Sequence, residues 1–205
     1  IQGYALGGGL ETAMLCNYRI ASETAKIGQP EVAIGIIPGA GGTQRVPRLA
    51  GVQAALDMIV GGEHYPSSAG KNLGILDDIY SDDNFLDAAI AYAEKVADVR
   101  PLPRVRDNDA KLAEAKEDPG IFDAMRKKIA RKARNQRAPY ACIEGVEAAV
   151  NLPFDDGLAK ERELFKELVA ADEAKSLRYA FFTERQARNV PDIPKDTPIT
   201  SVASV

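Results

Sequence analysis

Gly3-Tyr4-Ala5-Leu6-Gly7-Gly8-Gly9-Leu10-Glu11 is a short apolar strand pattern that runs into three glycines and then a carboxylate. Twenty residues after Glu11, Ile27-Gly28-Gln29-Pro30-Glu31 again joins a glycine turn to a glutamate, and Pro38-Gly39-Ala40-Gly41-Gly42 forms a third turn. Glycine has no Cβ, so its backbone takes positive φ and a ligand can approach it closely. A helix that opens after the triple glycine points unsatisfied N–H groups and a positive dipole end outward. That arrangement suits an anionic oxygen, either a phosphate or a developing enolate. Taken alone, the triple glycine also fits a tight strand-to-helix turn with no ligand. Glu11, in the first helical turn, also fits a surface glutamate that favours the dipole. Glu31 stands between Pro30 and the apolar Val32-Ala33-Ile34, which predicts a carboxylate at the edge of the core. A buried carboxylate needs a partner or a raised pKa, and such groups concentrate at functional sites. Two glutamates and three glycine turns within 42 residues together favour acid/base chemistry on a carbonyl substrate.

Outward from these turns, residues 1–98 read as compact α/β structure. Helices are expected from Gly8 to Cys16, Thr43 to Leu49, Val52 to Val60, Ser67 to Leu73 and Asn84 to Ala97, with Ser67 or Ser68 as a cap. Strands are expected at Tyr18 to Ala21, Ala25 to Ile27 and Ile75 to Tyr80, and the apolar Val32 to Ile37 reads as extended up to Pro38. Leu86, Ala89, Ile90, Ala93 and Val96 would line the buried face of the 84–97 helix. Residues 100–108, with two prolines among charges, read as a linker. From 109 to 189 the pattern is helical: Ile121 to Arg137, Tyr140 to Leu152, and Leu158 to Asn189. The last is long enough to break near Ala170-Ala171-Asp172. Its stripe of Leu164, Phe165, Leu168, Val169, Leu177, Ala180 and Phe181 should pack on residues 1–98. Three prolines in 190–198 suggest an interdomain linker. Three regions follow: 1–98, a helical segment 99–189, and a Pro-rich linker 190–205. Because Ile1 enters a strand pattern and the chain stops as a β-branched pattern begins, we expect a piece of a longer protein.

The 205 residues are 45% hydrophobic, enough for a real core, and the net charge of −4 disfavours nucleic acid as the main partner. No apolar run approaches the roughly 20 residues of a membrane helix. Cys16 and Cys142 lie in apolar stretches and are expected to be buried thiols of a reducing compartment rather than a disulfide. The basic run Arg126, Lys127, Lys128, Arg131, Lys132, Arg134 and Arg137 reads first as a solvated helix face, with a dock for a neighbouring domain or for phosphates as alternatives.

Gly3 to Glu11, Ile27 to Glu31 and Gly35 to Arg45 closely resemble the signature of the crotonase family, specifically its enoyl-CoA hydratases. The likeness continues through Gly61-Gly62 and Ser67 to Leu76, and covers residues 1–98. Ala138-Pro139-Tyr140-Ala141-Cys142 and Arg178 to Arg185 are similar to the segment that joins hydratase and dehydrogenase halves in multifunctional fatty-acid β-oxidation enzymes. The resemblance implies the C-terminal part of an α/β crotonase (ClpP-like) β-β-α superhelix, followed by an all-helical segment.

It also implies a site. The thioester carbonyl of a trans-2-enoyl-CoA would sit in an oxyanion hole to which Gly8 gives one backbone N–H, the other coming from an earlier part of the fold. Glu11 and Glu31 would flank one water, with the roles of base and acid unassigned, and Gly39 would help hold that water. An isomerase activity shifting 3-enoyl to 2-enoyl double bonds at the same site is also implied. Alternatives are a crotonase-fold isomerase or hydrolase, or an inactive structural fragment. We expect the isolated 205 residues to be inactive even where the parent is active. No metal or redox cofactor is expected in this chain, because the substrate carries the coenzyme A; NAD belongs to a dehydrogenase domain of the same full-length chain. The compartment would be the cytoplasm of a bacterium, or the peroxisome or mitochondrion of a eukaryote. Two departures from the family pattern stand out. His64, the only histidine, is expected on the surface, and Gly70 replaces a usual helix alanine, at a cost of roughly 1 kcal/mol to that helix.

Overall fold

The computed structural model describes residues 1–187, together with Pro194, Thr197 and Pro198; the expected 190–205 linker otherwise lies outside the described residues. Two small sheets form. In the first, β1 (Tyr4–Leu6) pairs in parallel with β3 (Lys26–Gly28), and β4 (Tyr65–Pro66) is antiparallel to β3. In the second, β2 (Ile20–Ser22) runs parallel to β5 (Asp78–Tyr80). The first register decides where the chemistry sits. Tyr4 faces Lys26 and Leu6 faces Gly28, so both strands end side by side, and Gly7 N–H closes the pair by donating to Gly28 O at 2.9 Å. The turns carrying Glu11 and Glu31 therefore leave the sheet at one edge.

Beyond that edge, α1 (Gly8–Ala13) follows the triple glycine. Four further helices follow: α2 (Gly42–Ala50), α3 (Val52–Gly61), α4 (Ser67–Asn72), which packs on β3, β4 and β5, and α5 (Phe85–Val96). Then come α6 (Ala113–Glu117), α7 (Gly120–Ile129), α8 (Ala138–Asn151), α9 (Phe154–Ala170) and α10 (Asp172–Ala187). The α2 helix is buried from Gly42 to Leu49 and lies at the centre. Arg48 ties it down: Nη1 donates to Gln44 O at 2.8 Å, Nε donates to Asp109 at 2.9 Å, and the guanidinium lies 4.9 Å from the Phe154 ring. One apolar core, including Ile27, Ile37, Leu56, Ile75, Phe122, Ile143 and Leu164, runs through both sides of residue 98.

Four expectations are corrected. Val32 to Ile37 is not extended: Glu31–Ile34 is a 3-10 helix, begun at Pro30 and ended by Gly35 at φ 75°, so turn chemistry overrides the apolar run. Ser67 does not cap α4; its hydroxyl donates to Glu23 O at 2.8 Å and pins the helix to the sheet. Cys142 is buried but Cys16 is exposed, because α1 stops at Ala13 and a turn carries Cys16 out. On α5 no residue is buried, with Leu86 72% and Ile90 52% exposed; of the expected face only Ala89 and Val96 are half-buried, on a side shared with Tyr92, whose ring meets Tyr18 and Tyr80 edge-on at 6.0 and 6.4 Å.

The expected 121–137 helix ends at Ile129, and Ala180 and Phe181 of the expected stripe are exposed; three other expectations hold. The long helical run breaks at Ala171, whose ψ of 147° separates α9 from α10. His64 is exposed, edge-on to Tyr4 at 6.4 Å. The basic run is a laced surface: Lys128 pairs with Asp57 at 2.8 Å, Arg126 with Asp123 and Glu147, and Arg137 with Glu167 at 3.6 Å.

Gly70 has a packing reason that propensity does not reveal. A Cβ there would lie 2.6 Å from Ile27 Cδ1 and 3.0 Å from Leu76 Cδ1, both in the core. Alanine gains roughly 1 kcal/mol of helix propensity, but overpacking typically costs 1–3 kcal/mol. Gly70→Ala is therefore expected to lower the thermal midpoint; a rise on melting would show that the core yields.

Candidate functional site

Glu11 is nearly fully buried on α1, 3% exposed, with its carboxylate aimed at the third glycine turn. Its Oε1 accepts from Ala40 N–H at 2.8 Å and Gly42 N–H at 2.6 Å. Burial pushes its pKa up, while these N–H groups, Gly39 N–H and the Arg45 guanidinium pull it back. The surface reading of Glu11 is thereby excluded.

Glu31 opens the 3-10 helix beneath the triple glycine. Its Oε1 lies 2.7 Å from where a Cβ on Gly7 would be, so only glycine leaves room for it. With the Gln29 amide oriented nitrogen-inward, that nitrogen donates to both carboxylate oxygens at 3.1 Å. Burial foremost pushes Glu31 up to about 7; its own backbone N–H pulls it back, and repulsion from Glu11 and then Glu161 adds smaller upward pushes.

The structure thus brings Glu11 and Glu31 together, close enough to repel. Gly8 begins α1 and is exposed, with open space where a Cβ would point. Gly39 sits in the turn that holds Glu11, its Cα face covered by the Phe165 ring, whose Cδ2 lies 2.5 Å from an ideal Cβ.

The sequence reading missed a third carboxylate. Glu161, on α9, is fully buried beneath the same turn. Its Oε1 accepts from Gly41 N–H at 2.6 Å; its Oε2 accepts from Thr43 N–H at 2.9 Å and from the Thr43 hydroxyl at 2.6 Å. Burial foremost, and then Glu11, push Glu161 up to about 7, while these donors favour its anion. The flanking charges Lys160, Arg162 and Glu163 disguised it, yet a signal existed: Glu161 falls at helical spacing with Gly157, Leu164 and Leu168, all buried. Arg45 is the cation of the group, donating from Nη1 to Ala40 O at 2.9 Å.

Comparisons with known proteins give the family. The sequence pattern of the family described as enoyl-CoA hydratase/isomerase matches residues 1–118. The peroxisomal bifunctional enzyme of Cavia porcellus is 44% identical over 187 residues, covering 91% of this chain and 26% of that protein. A glyoxysomal fatty acid beta-oxidation multifunctional protein of Cucumis sativus is 38% identical over 198 residues, covering 94% and 27%. The chain thus spans roughly a quarter of the length of these curated relatives. Among solved structures, a carnitinyl-CoA hydratase from Mycobacterium avium superposes with a TM-score of 0.60 at 25% identity, over 90% of this chain and 58% of that one. An enoyl-CoA hydratase from Mycobacterium avium subsp. paratuberculosis gives 0.61 at 21% identity, over 89% and 61%, a likeness of fold. With its sequence pattern matched across more than half its length, this chain belongs to the enoyl-CoA hydratase/isomerase (crotonase) family.

Proposed function

We propose that this chain carries the water-handling carboxylates of an enoyl-CoA hydratase, adding water across the double bond of a trans-2-enoyl-CoA. It would do so within a longer β-oxidation protein whose 3-hydroxyacyl-CoA dehydrogenase domain, with its NAD, lies elsewhere in the same chain. The family and the names of the curated relatives support this reading. In a eukaryote those names favour the peroxisome. The observation that carries the chemistry is the contrast between two adjacent carboxylates. Glu11 accepts two backbone N–H bonds, which suit an anion; Glu31, pushed up to about 7, holds a proton near neutrality.

Glu11 is then the base, taking a proton from the water that attacks C3, and Glu31 is the acid that delivers one to C2. Gly8 N–H, at the start of α1, would receive the charge that gathers on the thioester oxygen. Gly39 N–H, beside Glu11, would steady the water. The same near-neutral Glu31 suits the second activity, because a 3-enoyl to 2-enoyl shift needs a carboxylate that both takes and returns a proton.

The test is hydration of crotonyl-CoA by the parent protein, followed as loss of the conjugated thioester absorbance. No turnover by folded parent protein would overturn the reading. The pH profile of kcat/KM checks the assignment of roles, since it reports groups of the free enzyme. An acid must be protonated to act, so the rate is expected to fall as pH rises through about 7, where Glu31 loses its proton. A rate that climbs through that region would reverse the roles.

A further inference from the structure

Four successive backbone N–H groups in the third glycine turn are shared alternately between two carboxylates. Ala40 and Gly42 donate to Glu11; Gly41 and Thr43 donate to Glu161. Gly41, at φ 101°, allows the alternation. Neighbouring N–H groups then face opposite sides of the turn, one pair toward Glu11 and one toward α9. We propose that Glu161 is a positioning residue for the hydration site: it clamps the turn from behind and so holds the Ala40 and Gly42 N–H groups on Glu11. The inference rests on the hydratase reading and adds a residue to it.

Several observations make the clamp directional. Gln44 Nε2 donates to Gly145 O at 2.9 Å, which fixes the amide, and also to Thr43 Oγ1 at 2.9 Å. The Thr43 hydroxyl proton is therefore left for Glu161. All three contacts to the Glu161 carboxylate are donors, which favour its anion against the burial that pushes it up to about 7. On α9, Phe165 is one turn beyond Glu161, on the same face, and its ring covers Gly39. Leu164 and Leu168, buried in the core, fix the helix that carries both. One rigid element thus sets both ends of the turn.

A buried carboxylate is a costly way to hold a loop. A buried charge beside Glu11 and Glu31 works against the stability of the fold. Where Glu161 is charged, it adds to burial and to Glu11 in raising the proton affinity of Glu31. The groups facing this cluster are Glu11 from α1, Arg45 from α2, the Cys142 thiol from α8 beside Glu31, and Glu161 itself from α9.

In the parent protein, Glu161→Gln keeps the shape but removes the charge and sets an NH2 against one of the donors. Hydration of crotonyl-CoA is expected to show kcat lowered about 10–100-fold with KM within about threefold, as for a displacement of the catalytic group by a fraction of an ångström. The alkaline limb of kcat/KM should move slightly to lower pH, because one of the two carboxylates that repel Glu31 is neutralised while burial and Glu11 still favour its proton. A kcat within about twofold of wild type overturns the inference, as does a loss that only follows unfolding with KM and pH limb unchanged. If Glu161→Gln does not fold, the Thr43 pair decides. Thr43→Val should lower kcat and Thr43→Ser should restore most of it; equal rates for both overturn the clamp. Wild-type parent with no hydration would instead sink the hydratase reading. Wild-type activity that is lost in Glu11→Gln but kept in Glu161→Gln sinks this inference alone.

Discussion

Glu11→Gln in the parent protein is expected to lower kcat for hydration about 10²–10⁴-fold, with KM changed only a few-fold. Glutamine keeps the side-chain length and one oxygen for the Ala40 and Gly42 N–H groups, so the turn should survive. What it loses is the ability to take the water's proton in the transition state. Glu31→Gln is expected to cost a similar factor for the opposite reason, because an amide cannot give its proton to C2. The two variants separate in stability. Glu31 has its folded pKa raised from 4.5 to about 7, so the folded state binds a proton that the unfolded state releases. Its favourable contribution is complete below about pH 4.5 and is lost as pH rises through about 7. Glu31→Gln removes that titration, so its melting temperature should gain on wild type as pH rises from 5 to 8. Full activity in either variant would break the two-carboxylate mechanism. A melting temperature that loses ground with pH would break the account of Glu31.

The glycine turns and both glutamates were legible because their spacing is local. Each carboxylate follows its turn within a few residues, and the parallel pairing of Tyr4–Leu6 with Lys26–Gly28 does the rest. The break at Ala171 was also local, set by chain length and composition. Glu161 was harder to read, since it meets the turn from 118 positions further along the chain, through helix packing. A periodicity reading that begins at Leu164 passes over it, although one turn earlier the same face holds a glutamate. Val32 to Ile37 failed for another reason. Its apolar composition suits either a strand or a tight helical turn, and Gly35 decided between them. The α5 face was misjudged because periodicity reports that a face is apolar, not that something covers it.

Gly7→Ala is expected to be a severely damaging single-methyl change in the site. Gly7 has φ 55° and ψ −127°, a combination essentially reserved for glycine. Such strain costs of order 1–3 kcal/mol for another residue. The position is also pinned on both sides: its N–H donates to Gly28 O at 2.9 Å and its carbonyl accepts from Glu11 N–H at 3.0 Å. The chain therefore cannot rotate away without releasing both strands and α1. The new Cβ would stand 2.7 Å from Glu31 Oε1 and 3.2 Å from Cδ, so the buried carboxylate must move by several tenths of an ångström. Displacement of an ångström at a reacting group can cost about 10²-fold, which sets the expected fall in kcat alongside a loss of roughly 2 kcal/mol in stability. Gly9→Ala is the internal comparison. Its Cβ meets nothing within 4 Å and it lies inside α1, so the fold should hold or gain up to about 1 kcal/mol. Melting curves and hydration rates for the two variants side by side check the claim. If Gly7→Ala melts and turns over like Gly9→Ala, Glu31 does not lie under the glycine turn, and the site must be rebuilt around Glu11 alone.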